Sequence, residues 1–179
     1  MQQTMSVKWL TDTIYVATSS IDKVGIFTSV PVSKGQPIYK VTGQLVTAQF
    51  SEEFAKMGPN WIGISKELWL DPDPTNPMTF MNHSCEPNAI VSEGPQVIAL
   101  KPICANEEIL MDYSSTEIDP YWQMPCTCNS PFCRKVILPF QFLPLELRRV
   151  YREYMLKTLL ADIPSEHELI FNPAVRYGS

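Results

Sequence analysis

Three cysteines with close spacing are the first residues in this chain that could do chemistry. Cys126, Cys128 and Cys133 form the pattern C-x-C-x4-C. Thiolates joined by such short loops can converge on one metal ion, and a structural zinc ion takes four ligands in a tetrahedron. The triplet therefore predicts a zinc site that needs one more ligand; the alternative is a set of reduced cysteines without a metal. Candidates for the missing ligand are the two histidines and two further cysteines, Cys85 and Cys104.

The segment 79–88 carries a second group of chemically capable side chains. It contains Asn82, His83 and Cys85 within four positions, followed by a turn stiffened by Pro87. These residues offer an amide, an imidazole and a thiol. An isolated Asn-His pair is more often an ordinary core or loop feature, so the surrounding pattern has to decide its meaning.

That pattern, Asn-His-Ser-Cys-x-Pro-Asn over 82–88, resembles the signature loop of SET-domain protein lysine methyltransferases. Three further groups of residues follow that family's order along the chain. They are the opening strands at 20–27 with Lys34, Gly35 and Gly43, the segment 106–113 ending in Asp112-Tyr113, and the cysteine triplet with Arg134. The resemblance covers roughly 9–137.

The resemblance implies a mainly β fold with minor α structure. In it, small sheets form the SET-domain β-clip around a pseudoknot, in which the signature loop and the strand leading to Tyr113 thread together. True threading is rare in proteins, so periodicity alone would not predict it. The implied organisation is a SET domain at 9–122, a post-SET zinc-binding segment at 123–138 and a C-terminal helical extension at 139–179.

By the same resemblance the protein is a methyltransferase that uses S-adenosylmethionine, with Tyr113 as the catalytic residue. Cofactor contacts are expected from a short loop and from the signature segment, at Lys23, Val24, Gly25, Asn82, His83 and Tyr113. Glycine at position 25 would let the backbone approach the cofactor closely. The family's fourth zinc ligand comes from the signature loop, which gives the set Cys85, Cys126, Cys128 and Cys133 and leaves Cys104 free.

Several positions depart from the family's usual residues. Lys23-Val24-Gly25 replaces Gly-x-Gly, and Met111 stands two positions before Tyr113 where an aromatic residue is usual. Val41 and Thr79 replace an aromatic residue and an arginine. Trp61 aligns loosely with a channel-lining tyrosine. These differences indicate a divergent branch whose substrate cannot be taken from better-known members.

The elements that would position these residues are short strands. Segments rich in β-branched and aromatic residues predict strands at 8–10, 13–17, 24–28, 37–42, 96–100 and 108–111. Ser51 is expected to cap a short helix over 52–57. The proline-rich stretch 71–77 is expected to be an extended loop.

The C-terminal region has a different pattern, with apolar residues on one helical face. Pro144 suits the first turn of this predicted helix, which ends near Ala161 before Pro164. The stripe is expected to pack on the chain's own core; a partner, or a second copy forming a homodimer, is the alternative. Its members are Leu147, Val150, Tyr151, Tyr154 and Met155.

The composition limits the function further. The 179 residues carry a net charge of −5 and the pI is near 5.0, which argues against direct nucleic-acid binding and favours a basic protein substrate with an accessible lysine. That charge is also compatible with a role in solubility alone. We expect no signal peptide at the start and no membrane span, and hence an intracellular location. The rivals to an enzyme are a SET-like binding module and a zinc-stabilised structural domain.

Overall fold

The computed structural model describes residues 8–49 and 61–163. The helix predicted over 52–57 lies outside these residues. Within them the chain forms thirteen short strands: β1 (Lys8–Trp9), β2 (Ile14–Thr18), β3 (Val24–Thr28), β4 (Pro37–Lys40), β5 (Gly43–Thr47), β6 (Ile62–Ser65), β7 (Leu68–Pro72), β8 (Asn82–His83), β9 (Ala89–Ser92), β10 (Gln96–Ala99), β11 (Leu110–Met111), β12 (Met124–Pro125) and β13 (Val136–Ile137). Two short helices follow, α1 (Leu145–Arg152) and α2 (Lys157–Ala161).

The first sheet, β1-β2-β3, is antiparallel and alternates between a buried and an outer face. Ile14, Val16 and Ile26 point into the main core, as the period of two along these strands requires. On the other face the rings of Tyr15 and Phe27 stack with centroids 5.7 Å apart. Burial of one face therefore sets the register of this sheet.

The second sheet, β5-β7-β6, is one that the sequence analysis did not predict. Asp71 and Pro72 end its central strand β7, opposite Gln44 and Gly43 of β5, so the prediction of a loop over all of 71–77 is wrong at its start. A proline is tolerated there because it ends the strand. Gly43 is needed because a Cβ on it would lie 1.9 Å from the carbonyl oxygen of Asp71. Pro77, the last residue of the predicted loop, begins a 3-10 helix, Pro77–Phe80.

The third sheet contains the pseudoknot. Its order is β4-β10-β9-β11-β8, so β11 runs between β8 and β9, which are neighbours in the chain, and it is parallel to both. The main-chain N–H of Ser84 donates to the carbonyl of Met111 at 2.9 Å, and that of Asn88 donates to the carbonyl of Leu110 at 3.1 Å. The mainly β architecture around a threaded strand is confirmed.

The C-terminal region forms two helices where one was expected. The chain leaves the helical path after α1, and Leu156 adopts an extended conformation with φ −54° and ψ 126° before α2 begins. The break lets Leu156 and Leu159 enter a second core cluster with Ile90 and Phe140. Burial of these side chains outweighs the local preference for a continuous helix.

The prediction that the apolar stripe packs on the chain's own core is confirmed. Tyr151 and Met155 are each 2% exposed, and Leu147 and Tyr154 pack against the same cluster. Val150, by contrast, is 49% exposed. In the part of the chain that the structure describes, no helix has the length and apolarity needed to cross a membrane.

Candidate active site and thiol cluster

Tyr113 begins a 3-10 turn, Tyr113–Thr116, directly after β11. The carboxylate of Asp112 caps this turn by accepting the N–H of Ser114 at 3.1 Å. The hydroxyl of Tyr113 donates to the main-chain carbonyl of Met81 at 2.7 Å. Burial, together with the nearby charge of Asp22, raises the pKa of Tyr113 to about 12, so the phenol is neutral at physiological pH.

His83 connects this tyrosine to the cysteines. Its Nδ1 accepts the main-chain N–H of Tyr113 at 3.2 Å, and its Nε2 lies 3.4 Å from Sγ of Cys85. Burial is the main reason that the pKa of His83 falls to about 4, and the positive charge of Arg134 also lowers it, against the opposing effect of Asp112. The ring is therefore neutral. Since Nδ1 accepts a hydrogen bond, the hydrogen resides on Nε2, which faces the sulfur.

Asn82 is held by contacts that restrict what it can offer a ligand. Its Nδ2 donates to the carbonyl of Val24 at 2.9 Å and to Oε1 of Glu108 at 2.8 Å. Both amide hydrogens are therefore used within the protein, and Oδ1 is the atom left for a ligand. The other carboxylate oxygen of Glu108 accepts the hydroxyl of Ser19 at 2.9 Å.

The structure gives a reason for glycine at position 25 besides the predicted one. A Cβ on Gly25 would lie 2.0 Å from Oε1 of Glu108 and 3.0 Å from Nδ2 of Asn82. The missing side chain thus makes room for the carboxylate that orients Asn82. No contact in the structure tests a direct role of Gly25 in cofactor binding, which stays a prediction.

Lys23 occupies a conformation that favours glycine. Its φ is 34°, in the left-handed region, and its carbonyl accepts the N–H of Ser19 to close the turn before β3. Lys23 stands where the resemblance implies a glycine, and a lysine in this conformation carries some backbone strain. Val24, next to it, is 43% exposed. The half-buried Trp61 directly precedes β6, and its predicted place along a lysine channel stays a prediction.

The structure brings the four predicted thiols together across the chain. Sγ of Cys126 lies 3.7 Å from Sγ of Cys85 and 3.6 Å from Sγ of Cys133, and the N–H of Cys85 points at Sγ of Cys128 at 3.5 Å. The short sheet β12-β13 positions the loop between them. Cys104 is exposed and lies in the turn before β11, where its N–H donates to Glu107.

His83 is a competing candidate for the fourth metal ligand. Its ring and the thiols of Cys85, Cys126 and Cys128 offer ligand atoms that all lie within 4.8 Å of one another. Its tautomer, however, directs a hydrogen rather than a lone pair at Cys85. The geometry therefore favours a role for His83 as a hydrogen-bond donor to a thiolate, with Cys133 as the fourth sulfur.

The surroundings of the thiols fit a zinc ion. Main-chain N–H groups point at the sulfurs, including that of Arg134 at 3.3 Å from Sγ of Cys85. Burial raises the pKa of Cys85 and of Cys126, whereas at Cys128 burial is outweighed by the N–H donors of Cys85 and Ser130, which lower the pKa to about 7. Nε and Nη1 of Arg134 are buried without a hydrogen-bond partner among the described residues. Thiolates on a metal would supply the negative charge that this cation faces.

Comparisons with known proteins identify a domain of this chain. A family model described as SET domain matches residues 23–114. Histone-lysine N-methyltransferase ash1 of Drosophila melanogaster is 30% identical over 127 residues, which is 63% of this chain and 6% of that protein. An H3 lysine-4 specific histone-lysine N-methyltransferase of Cryptococcus neoformans is 30% identical over 137 residues, which is 66% of this chain and 9% of that protein.

Solved structures share the fold. A crystal structure of KRYPTONITE in complex with mCHH DNA, an H3(1-15) peptide and SAH matches with a TM-score of 0.53 and 22% identity, over 69% of this chain and 29% of that one. The chain belongs to the SET domain family. It spans only 6% and 9% of the two curated relatives described above.

Sequence reasoning missed several residues of the site. Ser19 was not singled out and Tyr151 was predicted only as part of the apolar stripe, because their partners, Glu108 and Asp112, lie 89 and 39 positions away along the chain. Glu108 stood inside a recognised motif, but nothing local indicated that it contacts Asn82.

Proposed function

We propose that this chain is a protein-lysine N-methyltransferase that transfers a methyl group from S-adenosylmethionine to a lysine side chain of a protein substrate. The observation that carries the proposal is the neutral hydroxyl of Tyr113, held on the carbonyl of Met81 directly beside the Asn82-His83 segment. Two separate stretches of chain meet there only because β11 is threaded between β8 and β9. Such a preorganised polar group is what a methyl transfer to an amine requires.

The cofactor site is proposed at the loop and strand that flank this hydroxyl. Lys23, Val24 and Gly25 would offer main-chain groups, and His83 would do the same from β8. Asn82 would accept a hydrogen bond from the cofactor's amino group through Oδ1, since its amide hydrogens are occupied by Val24 and Glu108. S-Adenosylmethionine, when bound, supplies a methyl group activated by a sulfonium.

The chain's task in the reaction is positioning and desolvation. A free lysine has a pKa of about 10.4 and is mostly charged at neutral pH. A narrow site with apolar walls disfavours the charged amine, and Tyr113 can orient the neutral one without acting as a strong base. Since the pKa of Tyr113 is about 12, its phenol keeps its proton under assay conditions.

The zinc ion is proposed to be structural. Four thiolates, from Cys85, Cys126, Cys128 and Cys133, leave no open position on the metal. The metal would join the signature loop to residues 123–138, the post-SET segment, and so close one wall of the site. On this basis the SET domain is assigned to 9–122 and the C-terminal extension to 139–179.

The substrate is proposed to be a basic protein, with histones as the first candidate. The net charge of −5 favours a partner rich in lysine and arginine, and two similar proteins are named histone-lysine methyltransferases. The same charge disfavours direct nucleic-acid binding. An intracellular location follows from such a substrate. A homodimer through the C-terminal helices stays a prediction, with Val150 as the exposed part of the predicted stripe.

Incubation with radiolabelled S-adenosylmethionine tests the proposal most directly. The full chain is mixed with core histones and, separately, with acidic proteins of similar size, and Tyr113→Phe serves as the matched control. Label on histone lysine that depends on Tyr113 supports the enzyme. Cofactor binding without transfer to any lysine would indicate a binding module instead of an enzyme. Absence of cofactor binding would indicate a zinc-stabilised structural domain.

A further inference from the structure

Tyr151 of α1 makes a contact that its place in an apolar stripe does not explain. Its hydroxyl donates to Oδ2 of Asp112 at 3.1 Å, and the residue is 2% exposed. It lies beyond residues 23–114, which match the SET domain family model. A phenylalanine would fill the same core position, so the hydroxyl needs a separate reason.

Asp112 joins three parts of the chain through one buried carboxylate. Its side chain is 0% exposed. Besides the Tyr151 hydroxyl it accepts Nη2 of Arg134 at 2.7 Å and the N–H of Ser114 at 3.1 Å, the second of which caps the turn that starts at Tyr113. A buried carboxylate is costly unless its acceptor sites are filled, so each donor affects how firmly the others are held.

Arg134 carries the connection to the thiol cluster. It directly follows Cys133, and its main-chain N–H points at Sγ of Cys85 at 3.3 Å. The guanidinium is held on Asp112 while the backbone of the same residue lies against the thiols. A change in the orientation of Asp112 would therefore reach the segment that carries Cys133.

We propose that Tyr151 is a positioning residue for the zinc site: its hydroxyl orients Asp112, which holds Arg134 and thereby the segment 126–134 against the turn Tyr113–Thr116. The C-terminal extension then contributes a positioning residue to the zinc site in addition to its packing in the core. The inference rests on the zinc site of the proposed function, but it does not depend on methyl transfer.

Zinc release from the full chain into an excess of a chromogenic chelator, without cofactor or substrate, tests this role. Tyr151→Phe removes one hydroxyl and keeps the ring, and we expect release about tenfold faster, as for loss of a hydrogen bond to a charged group or of a residue that supports a ligand. Tyr154→Phe, on the same stretch of chain and packed against the same cluster, should match the wild type. Circular dichroism confirms that both variants are folded.

A double-mutant cycle separates positioning from general stabilisation. In an Arg134→Gln background, Tyr151→Phe should add less than twofold to the release rate, because the connection is already broken. The proposal would be overturned if Tyr151→Phe and Arg134→Gln had additive effects on the free energy of activation for zinc release, or if Tyr151→Phe and Tyr154→Phe released zinc equally fast. A wild-type chain that holds no zinc would overturn it as well. If Tyr151→Phe releases zinc faster but the wild-type chain transfers no methyl group, the proposed enzymatic function is refuted and the proposed role of Tyr151 is supported.

Discussion

The hydroxyl of Tyr113 donates its hydrogen to the main-chain carbonyl oxygen of Met81, 2.7 Å away. This bond crosses the pseudoknot, since Met81 directly precedes β8 and Tyr113 directly follows β11. The direction of the O–H is thus fixed before any ligand arrives, and the oxygen is still able to accept a hydrogen bond from a ligand. Preorganisation of this kind costs no rearrangement during the reaction.

Replacement of Tyr113 by phenylalanine should lower turnover by about 100-fold, in line with loss of one positioned polar group from a dry site. The ring remains, so the fold should survive, and circular dichroism should be unchanged. Tyr15→Phe, on the outer face of the first sheet, is the control and should keep the wild-type rate. A Tyr113→Phe enzyme with nearly full turnover would refute the catalytic assignment.

Serine at any one of Cys85, Cys126, Cys128 or Cys133 should remove zinc and weaken cofactor binding together, because serine is a poor ligand and the metal closes the site wall. Elemental analysis of the purified wild type should give about one zinc per chain, as four thiolates complete one tetrahedral site. Cys104→Ser is the matched control and should retain the metal. A protein that is metal-free yet fully active would contradict the proposed zinc site.

The same measurement distinguishes His83 from Cys133 as the fourth ligand. If the hydrogen on Nε2 of His83 faces Cys85 as its contacts indicate, His83→Asn should keep its zinc while Cys133→Ser loses it. The reverse result would assign the metal to the set of His83, Cys85, Cys126 and Cys128, whose ligand atoms lie within 4.8 Å of one another.

Met111 should permit more than one methyl group on the product lysine. The side chain is 1% exposed and packs in the main core, and its flexible thioether can yield to a growing group. Mass spectrometry after long incubation should find di- or trimethyl-lysine, and Met111→Tyr should shift the product towards monomethyl-lysine. Met155→Leu, in the second core cluster, should leave the product unchanged. Strict monomethylation by the wild type would be the contrary result.

Glu117 should make the fold less stable at alkaline pH. Burial raises its pKa from the ordinary value of 4.5 to about 8, against the N–H donated by Asp119. A raised carboxyl pKa means that the folded state holds the proton more tightly than the unfolded state does. The contribution of protonated Glu117 to the free energy of unfolding is therefore fully present below about pH 4.5 and is lost as the pH rises through about 8.

Denaturant unfolding at pH 5 and pH 9 measures this loss. Glu117→Gln cannot ionise, so its stability should fall by less than that of the wild type between the two pH values, with a difference on the order of 4 kcal/mol. Glu146→Gln, at an exposed position on α1, should follow the wild type. Equal pH dependence of Glu117→Gln and the wild type would mean that Glu117 is already ionised in the folded protein.

Local sequence was enough to predict much of the site. The signature segment around Asn82 and Cys85, the cysteine triplet and the strands β1 to β4 depend on residue types and spacings within a few positions. Alternation of apolar residues and turn chemistry act over that same range, so these features are visible in one dimension. The meeting of β8 with β11 was implied by resemblance to a known family.

Other features were decided by contacts between residues far apart in the chain. The break between α1 and α2 runs against a continuous helical pattern and occurs because Leu156 and Leu159 gain burial in a core that the helix itself does not specify. Glu108 faces Gly25 and Asn82, and Tyr151 reaches Asp112, across separations that no periodicity encodes. Hydrogen bonds of this kind form only where packing has already brought their partners together, which is why the tertiary structure, and not local propensity, determined them.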